Sequence, residues 1–381
     1  MNEDIIDIPE KTGEKKDKKG LPLFAIISLA LGGISVILYV SFMLSTGFSD
    51  FFNRYISSVL RAALAYATGW IPFSLGEYLL LLSPLLIVGA AIYGCTRYVD
   101  TWHDVFIYCA NLLSVIALVL SVFVMGFAPA YRGTTLDKKL GIDRQNVSTE
   151  ELYDTAIILS GMVNEERKNV IYSGSTDFSV MPYGIDEMND KLMDAYRKAC
   201  ERYDFIPSLD SNVKPVMLSE LMSYTHITGI YSFYTGEANI NVAFPDYTIP
   251  FTAAHELAHQ RGVAREDEAN FMAFLVCMDS DDPYIRYSAY LNLFEYVASA
   301  LYSASPELYG CVMSTLDREV RLEMQAYSRF FEKYRESTAG KVSATVNNTS
   351  LILQGTEGTK SYGMVVDLAV AYYRSNEGLT Q

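Results

Sequence analysis

The sequence predicts a membrane α-helical N-terminal part with three spans, followed by an α+β domain that is mainly helical with a small sheet. Three observations predict it. Three long apolar runs all lie before residue 131. Helical periodicity with capping signals fills most of residues 132–381. Two short alternating stretches, near 227–233 and 238–244, read as paired strands.

The apolar runs come first. Leu21 to about Met43 carries no charge, Phe73 to about Tyr93 only Glu77, and Val105 to about Ala128 none. Each reaches the roughly 20 residues needed to cross a bilayer. They also explain why 50% of the chain is apolar, a high share for a wholly soluble protein. The first run is too long for a signal-peptide core and has no small-residue cleavage site, so it is expected to remain as a helix.

Lys11, Lys15, Lys16, Lys18 and Lys19 precede the first run and place the N-terminus in the cytoplasm. Residues 1–20 are then a basic cytoplasmic tail and 21–131 a membrane domain of a multi-pass plasma-membrane protein. Three spans put residues 132–381 outside the cytoplasm. Arg97 agrees with this, whereas Arg54, Arg61, Lys138 and Lys139 oppose it. Between the first two runs, Phe51, Phe52, Tyr55, Ile56, Leu60, Ala63 and Leu64 fall at helical spacing. An interfacial helix is expected over about 50–66, with Trp70 at headgroup level; packing on the soluble domain is the alternative.

A net charge of −15 argues against nucleic acid, and no glycine loop suits a nucleotide phosphate. Five cysteines have neither zinc-finger spacing nor the look of a disulfide framework, and Cys277 reads as packing.

In the C-terminal domain, Ser148-Thr-Glu-Glu151 is a capping box opening a helix to about Lys168. Thr176 to Pro182 reads as loop, Ile185 to about Tyr203 as helix, and Val216 to Ser223 as a short helical piece. Long helices are expected at 284–302 and 315–335, and a last one at 362–374. Asn347-Asn348 and Gly355 to Gly358 mark loops.

The chemistry lies between. Ala238, Ile240, Val242 and Phe244 alternate with Asn239, Asn241 and Ala243, giving a strand with one apolar face. Pro250 then opens a helix over Phe251-Thr-Ala-Ala-His-Glu-Leu-Ala-His-Gln-Arg261. Two of the chain's four histidines, His255 and His259, are one turn apart on one helix face and can grip one zinc ion. Glu256 is placed to take a proton from a metal-activated water. Gly262 can end the helix and reverse the chain.

A helix from Glu266 to Met278 then returns toward the metal and offers a third ligand. Glu266, Asp267 and Glu268 are the candidates. Glu266 is preferred because Asn270 follows on the same face, where it can hydrogen-bond a ligand histidine. Helix phase leaves Glu268 open as the runner-up. The bland alternative is an amphipathic helix with two surface histidines.

His-Glu-x-x-His followed by Glu-x-x-Ala-Asn resembles the zincin metallopeptidases whose third ligand is glutamate, the gluzincins. A metzincin third histidine would fall at Arg265, so that subgroup is not matched. Tyr234-Thr-Gly-Glu-Ala-Asn-Ile-Asn241, Pro250 to Gly262, Ala264-Arg-Glu-Asp-Glu-Ala-Asn-Phe271 and Lys360-Ser-Tyr-Gly-Met-Val-Val-Asp-Leu368 resemble a bacterial membrane-protein family catalogued as domain of unknown function 3810. The zincin resemblance implies a membrane-anchored zinc peptidase with peptide or protein substrates and the bilayer as its other partner.

His226 and Tyr362 are further candidates for stabilising an oxyanion, as is Tyr287, with structural packing as the bland reading of each. The strand 238–244, if it is an open edge, would bind extended peptide by strand addition. Two other functions stay open: a catalytically silent sensor or binding protein, and a zinc amidase acting on cell-wall material.

Overall fold

The computed structural model describes residues 20–97, 101–175 and 177–375. The lysine-rich tail behind the orientation argument, the Arg97 side chain and Thr176 lie outside the described residues. The helices are α1 (Leu23–Leu44), α2 (Thr46–Phe52), α3 (Ser58–Gly69), α4 (Leu75–Arg97), α5 (Trp102–Gly126), α6 (Ala128–Arg132), α7 (Leu136–Leu140), α8 (Thr149–Arg167) and α9 (Ile185–Arg202). Strand β1 (Val213–Pro215), α10 (Ser219–Ser223), β2 (Gly229–Ser232) and β3 (Glu237–Ile240) follow. The chain ends in α11 (Ile249–Gln260), α12 (Glu266–Met278), α13 (Pro283–Ala304), α14 (Pro306–Thr315), α15 (Arg318–Glu332), α16 (Thr338–Leu353) and α17 (Val365–Arg374). The protein is thus mainly helical with a small sheet.

Leu23–Leu44, Leu75–Thr96 and Trp102–Gly126 are long and apolar enough to cross a membrane. Most of their side chains are exposed outside the protein's own packing, as lipid-facing helices require. The capping box at Ser148 is present and starts α8. A core built from α8, α9, α11, α12, α13 and α17 encloses Leu159, Leu192, Leu257, Phe274, Phe294 and Leu368.

The 50–66 segment differs from an amphipathic surface helix. It is two helices, α2 and α3, joined through a π turn at Asn53–Ser57. The side expected to face water is the buried one. Ser57 and Arg61 are buried, while Phe51, Tyr55 and Ile56 are exposed. Arg61 explains the inversion. Its guanidinium donates to the carbonyls of Gly126 at 2.7 Å and Gln260 at 3.0 Å. It therefore ties the α2–α3 segment to the end of α5 and to the last turn of α11, satisfying carbonyls that helix ends leave free.

A second tie is ionic. Lys214 on β1 pairs with Glu237 on β3 at 2.6 Å, and the same carboxylate accepts from the backbone of Leu75 and Gly76. A buried negative charge thus caps the α4 N-terminus.

The sheet has the order β1–β3–β2, with β1 parallel and β2 antiparallel to β3. The expected 238–244 strand is shorter, and it is not a one-faced edge. All four β3 residues are buried and β3 is central, so strand addition there is ruled out. Asn239 and Asn241, the supposed solvent face, bond internally to the carbonyls of Ile230 and Ile227. β1, three residues long, carries too little alternation to be read from sequence.

Three helical expectations also change. The helix expected over 315–335 is present as α15 but starts at Arg318, because the Asn164 side chain donates to the Thr315 carbonyl and accepts from the Asp317 N–H just before it. The Asn347-Asn348 loop is instead the interior of α16. The last helix begins at Val365, after a 3-10 turn at Gly358–Met364.

Candidate metal centre

α11 begins with Pro250 in its first turn, where a missing N–H costs nothing. It ends at Gly262, whose φ of +91° is a backbone state that favours glycine. The Gly262 N–H reaches the His259 carbonyl and the Val263 N–H reaches that of Ala258, the paired bonds of a Schellman motif. This turn aims the Val263 carbonyl back at the helix, where it lies 2.7 Å from His259 Nδ1. In the neutral ring this contact keeps the proton on Nδ1 and the lone pair on Nε2.

The reversed chain enters α12 with three consecutive acids at its N-terminus, a position the helix dipole favours. Each acid has a different partner. Asp267 pairs with Arg144 at 2.9 Å. Glu268 accepts from the Leu136 N–H at 3.0 Å and from Arg265 at 3.1 Å. Glu266 alone turns to α11, with Oε2 at 3.2 Å from His255 Nε2 and 3.5 Å from His259 Nε2. These three residues form a potential metal-holding group whose donor atoms lie within 4.8 Å of one another.

The spacing accommodates an ion pair or hydrogen bond as well as a ligand set. Charge-assisted N–H···O contacts close to about 2.7–2.9 Å. Ligands at about 2.0–2.1 Å around a tetrahedral zinc are separated by roughly 3.3–3.4 Å. The two Glu266 distances straddle the second value. The donor set of two imidazoles and one carboxylate suits zinc with a coordination position to spare.

Glu256 is beside this group, buried, with one carboxylate oxygen unpartnered among protein atoms. Burial pushes its carboxyl up to about 7, against the opposing pull of His255 and His259. The Tyr231 backbone of β2 hydrogen-bonds the carboxylate. Gly229, also on β2, has to be small: a Cβ there would lie 2.6 Å from Glu256 Oε1 and 2.8 Å from Thr252. Burial alone would raise Glu266, but the His259 and His255 rings outweigh it and hold its carboxyl well below the usual range. For His259, burial works downward and Glu266 prevails, lifting it to about 9.

These side chains share a cavity of about 840 Å³. Its walls come from both halves of the chain. Phe123 lies in the last turn of α5, and Phe127 and Tyr131 follow it. The Phe127 ring packs edge-on to His259 with centroids 6.0 Å apart. β2 supplies Ile230 and Tyr231, α13 supplies Glu295 and Tyr296, and α16 supplies Ser343 and Asn347.

Other sequence candidates fall differently. Asn270 lines the cavity, but its amide reaches the Tyr296 hydroxyl at 3.5 Å. The bond that orients a histidine comes from Val263. His226 also lines the cavity, yet its Nε2 contacts the Tyr334 carbonyl at 2.7 Å and its ring packs on Phe331, a satisfied structural role. Tyr287 is outside the cavity, bonded to Tyr172 and Glu323 in a buried polar cluster. The Tyr362 side chain lies outside those described.

Tyr131, Tyr296 and Glu295 also line the cavity, and no sequence pattern marks them. Tyr131 follows an apolar run that masks it. Burial and the Glu266 charge raise its hydroxyl pKa.

Glu295 gives an expected result of its own. Burial pushes its carboxyl from the ordinary 4.5 up to about 8, against a hydrogen bond from Tyr247. Its folded pKa is therefore above its unfolded one. The stability tied to its proton is complete below about 4.5 and is lost as pH rises through about 8. Glu295→Gln should gain thermal stability over wild type progressively between those limits. An unfolding-midpoint difference that stays flat across that window would refute this.

Comparison with curated proteins finds no match, and comparison with solved structures finds none. Comparison with protein families finds one over residues 23–370, which spans all three apolar helices, the Arg61 and Glu237 ties and the whole His255–Glu266 centre. The chain therefore belongs to the family described as "Protein of unknown function (DUF3810)".

Proposed function

We propose that this protein is a membrane-anchored zinc-dependent metallopeptidase of zincin type. The observation that carries the reading is the convergence of Glu266 on His255 and His259 at the edge lengths of a tetrahedral site, with Glu256 in the same cavity. His255, His259 and Glu266 would hold the ion. When bound, zinc supplies Lewis acidity, lowering the pKa of a coordinated water and polarising an amide carbonyl.

The chain's own residues do the rest. Glu256 accepts the proton of the attacking water on its unpartnered oxygen and passes it to the leaving amine. A carboxyl lifted to about 7 is matched to both duties near neutral pH. The Val263 carbonyl keeps His259 in the ligating tautomer. β2 is an edge strand that lines the cavity, and an extended substrate backbone would lie along it, with the Tyr231 N–H already given to Glu256. Phe123 and Phe127 exclude water from that side.

The same reading puts the chain in the plasma membrane with its N-terminus in the cytoplasm. The C-terminal ends of α1 and α5 and the N-terminal end of α4 then share one membrane face with the metal centre. Peptide-library hydrolysis by the purified protein is the test. Cleavage should vanish with a zinc chelator and return on adding zinc. Unchanged cleavage in chelator, or none in zinc-loaded protein, would reject the reading.

A further inference from the structure

α16 carries an arrangement that a water-facing helix has no use for. One flank presents Ser343, Asn347 and Ser350 to the catalytic cavity. The opposite flank presents Lys341, Thr345 and Thr349 outward. Between them, at positions four and seven apart, runs an apolar stripe. Val342 is 59%, Val346 64% and Leu353 68% exposed. At 100° per residue these three fall within a narrow arc of the helix, and Val346 lies on the cavity's margin.

Both ends of the helix are tied to neighbours that continue the apolar surface. At the C-terminal end, the Tyr39 hydroxyl of α1 donates to the Leu353 carbonyl at 3.2 Å. At the N-terminal end, Ser337 donates to the Tyr224 carbonyl just after α10. The α10 segment exposes Met217 (61%) and Leu221 (62%). It is joined in turn to the start of α4, where Glu77 accepts from the Met217 and Leu218 N–H groups at 2.9 Å. The apolar rim therefore runs from the end of α1, along α16 and α10, to the start of α4. On the far side of the mouth, Phe123 belongs both to the cavity wall and to the membrane-length helix α5. Phe51, Tyr55 and Ile56 extend the exposed apolar surface beside α1 and α5.

We propose that this rim seats in the bilayer surface, so that the cavity opens on lipid and takes polypeptide segments that emerge from the membrane. The occupant of the stripe is lipid because one end of α16 is bonded to the membrane-length helix α1 and the other reaches α4 through α10. The substrate class rests on the peptidase reading; the seat does not.

Two measurements on full-length protein in phosphatidylcholine vesicles with brominated chains separate them. In a Trp70→Phe, Trp102→Phe background, a tryptophan introduced by Val342→Trp should be quenched by the lipid. One introduced by Thr345→Trp should not. Equal quenching of the two, or none, overturns the seat.

The second measurement offers a random decapeptide library either tethered beside a transmembrane helix or free in solution. The tethered form should be cut at least roughly tenfold faster at equal bulk concentration, the gain expected when substrate and site share a surface. Val342→Asp with Leu353→Asp should erase that preference without changing zinc content. Equal rates in wild type overturn the substrate class. No cleavage of either library by zinc-loaded protein overturns the peptidase reading with it, leaving the seat to be judged by quenching.

Discussion

Glu256→Gln is expected to abolish peptide hydrolysis, by roughly 10²–10⁴-fold in kcat, while leaving zinc content unchanged. The substitution keeps size and one carbonyl oxygen, so the Tyr231 N–H can hold the amide as it holds the carboxylate, in the space that Gly229 leaves. It would remove the proposed proton acceptor from a buried site where, among the described residues, no other carboxylate is free. Glu266 is committed to the two histidines, and Glu268 to Leu136 and Arg265. Glu295 lines the same cavity but keeps its proton up to about pH 8. Comparing kcat and metal stoichiometry for the two proteins decides the matter. A Gln variant that turns over like wild type assigns the base elsewhere.

The second large effect separates two acids that are two residues apart. Glu266→Ala should lose most of its zinc, because two imidazoles alone make a poor site. Glu268→Ala should keep its zinc and lose stability. It leaves the buried Leu136 N–H without its acceptor, a cost of about 1–3 kcal/mol. Metal analysis and thermal unfolding on both variants give the answer together. Zinc lost only in Glu268→Ala would reverse the assignment.

Those acids show where sequence reasoning reaches its limit. Helix phase leaves both Glu266 and Glu268 within range of a metal on α11. The deciding fact is Leu136, 132 positions away, whose N–H claims Glu268. Local signals were legible. Uniform apolar runs gave three membrane-length helices, and Gly262 marked the reversal between α11 and α12. The Schellman turn's second consequence, a carbonyl aimed at His259, was not, since Val263 carries no pattern.

Burial of polar groups misled the reading elsewhere. Arg61 and Ser57 look like a solvent face but bind helix-end carbonyls inside the protein. Asn239 looks like the outside of a strand and is in the middle of a sheet. Asn347-Asn348 looks like a loop, yet it lies within α16, and Asn347 lines the cavity.

The central claim is that His255, His259 and Glu266 hold one zinc ion with a position left for chemistry. X-ray absorption at the zinc edge on metal-loaded, full-length protein addresses it without needing a substrate. One zinc per chain is expected, bound only by nitrogen and oxygen at about 2.0–2.1 Å, with two imidazoles in the shell. A shell containing sulfur, or a chain that stays free of zinc after loading, would contradict it.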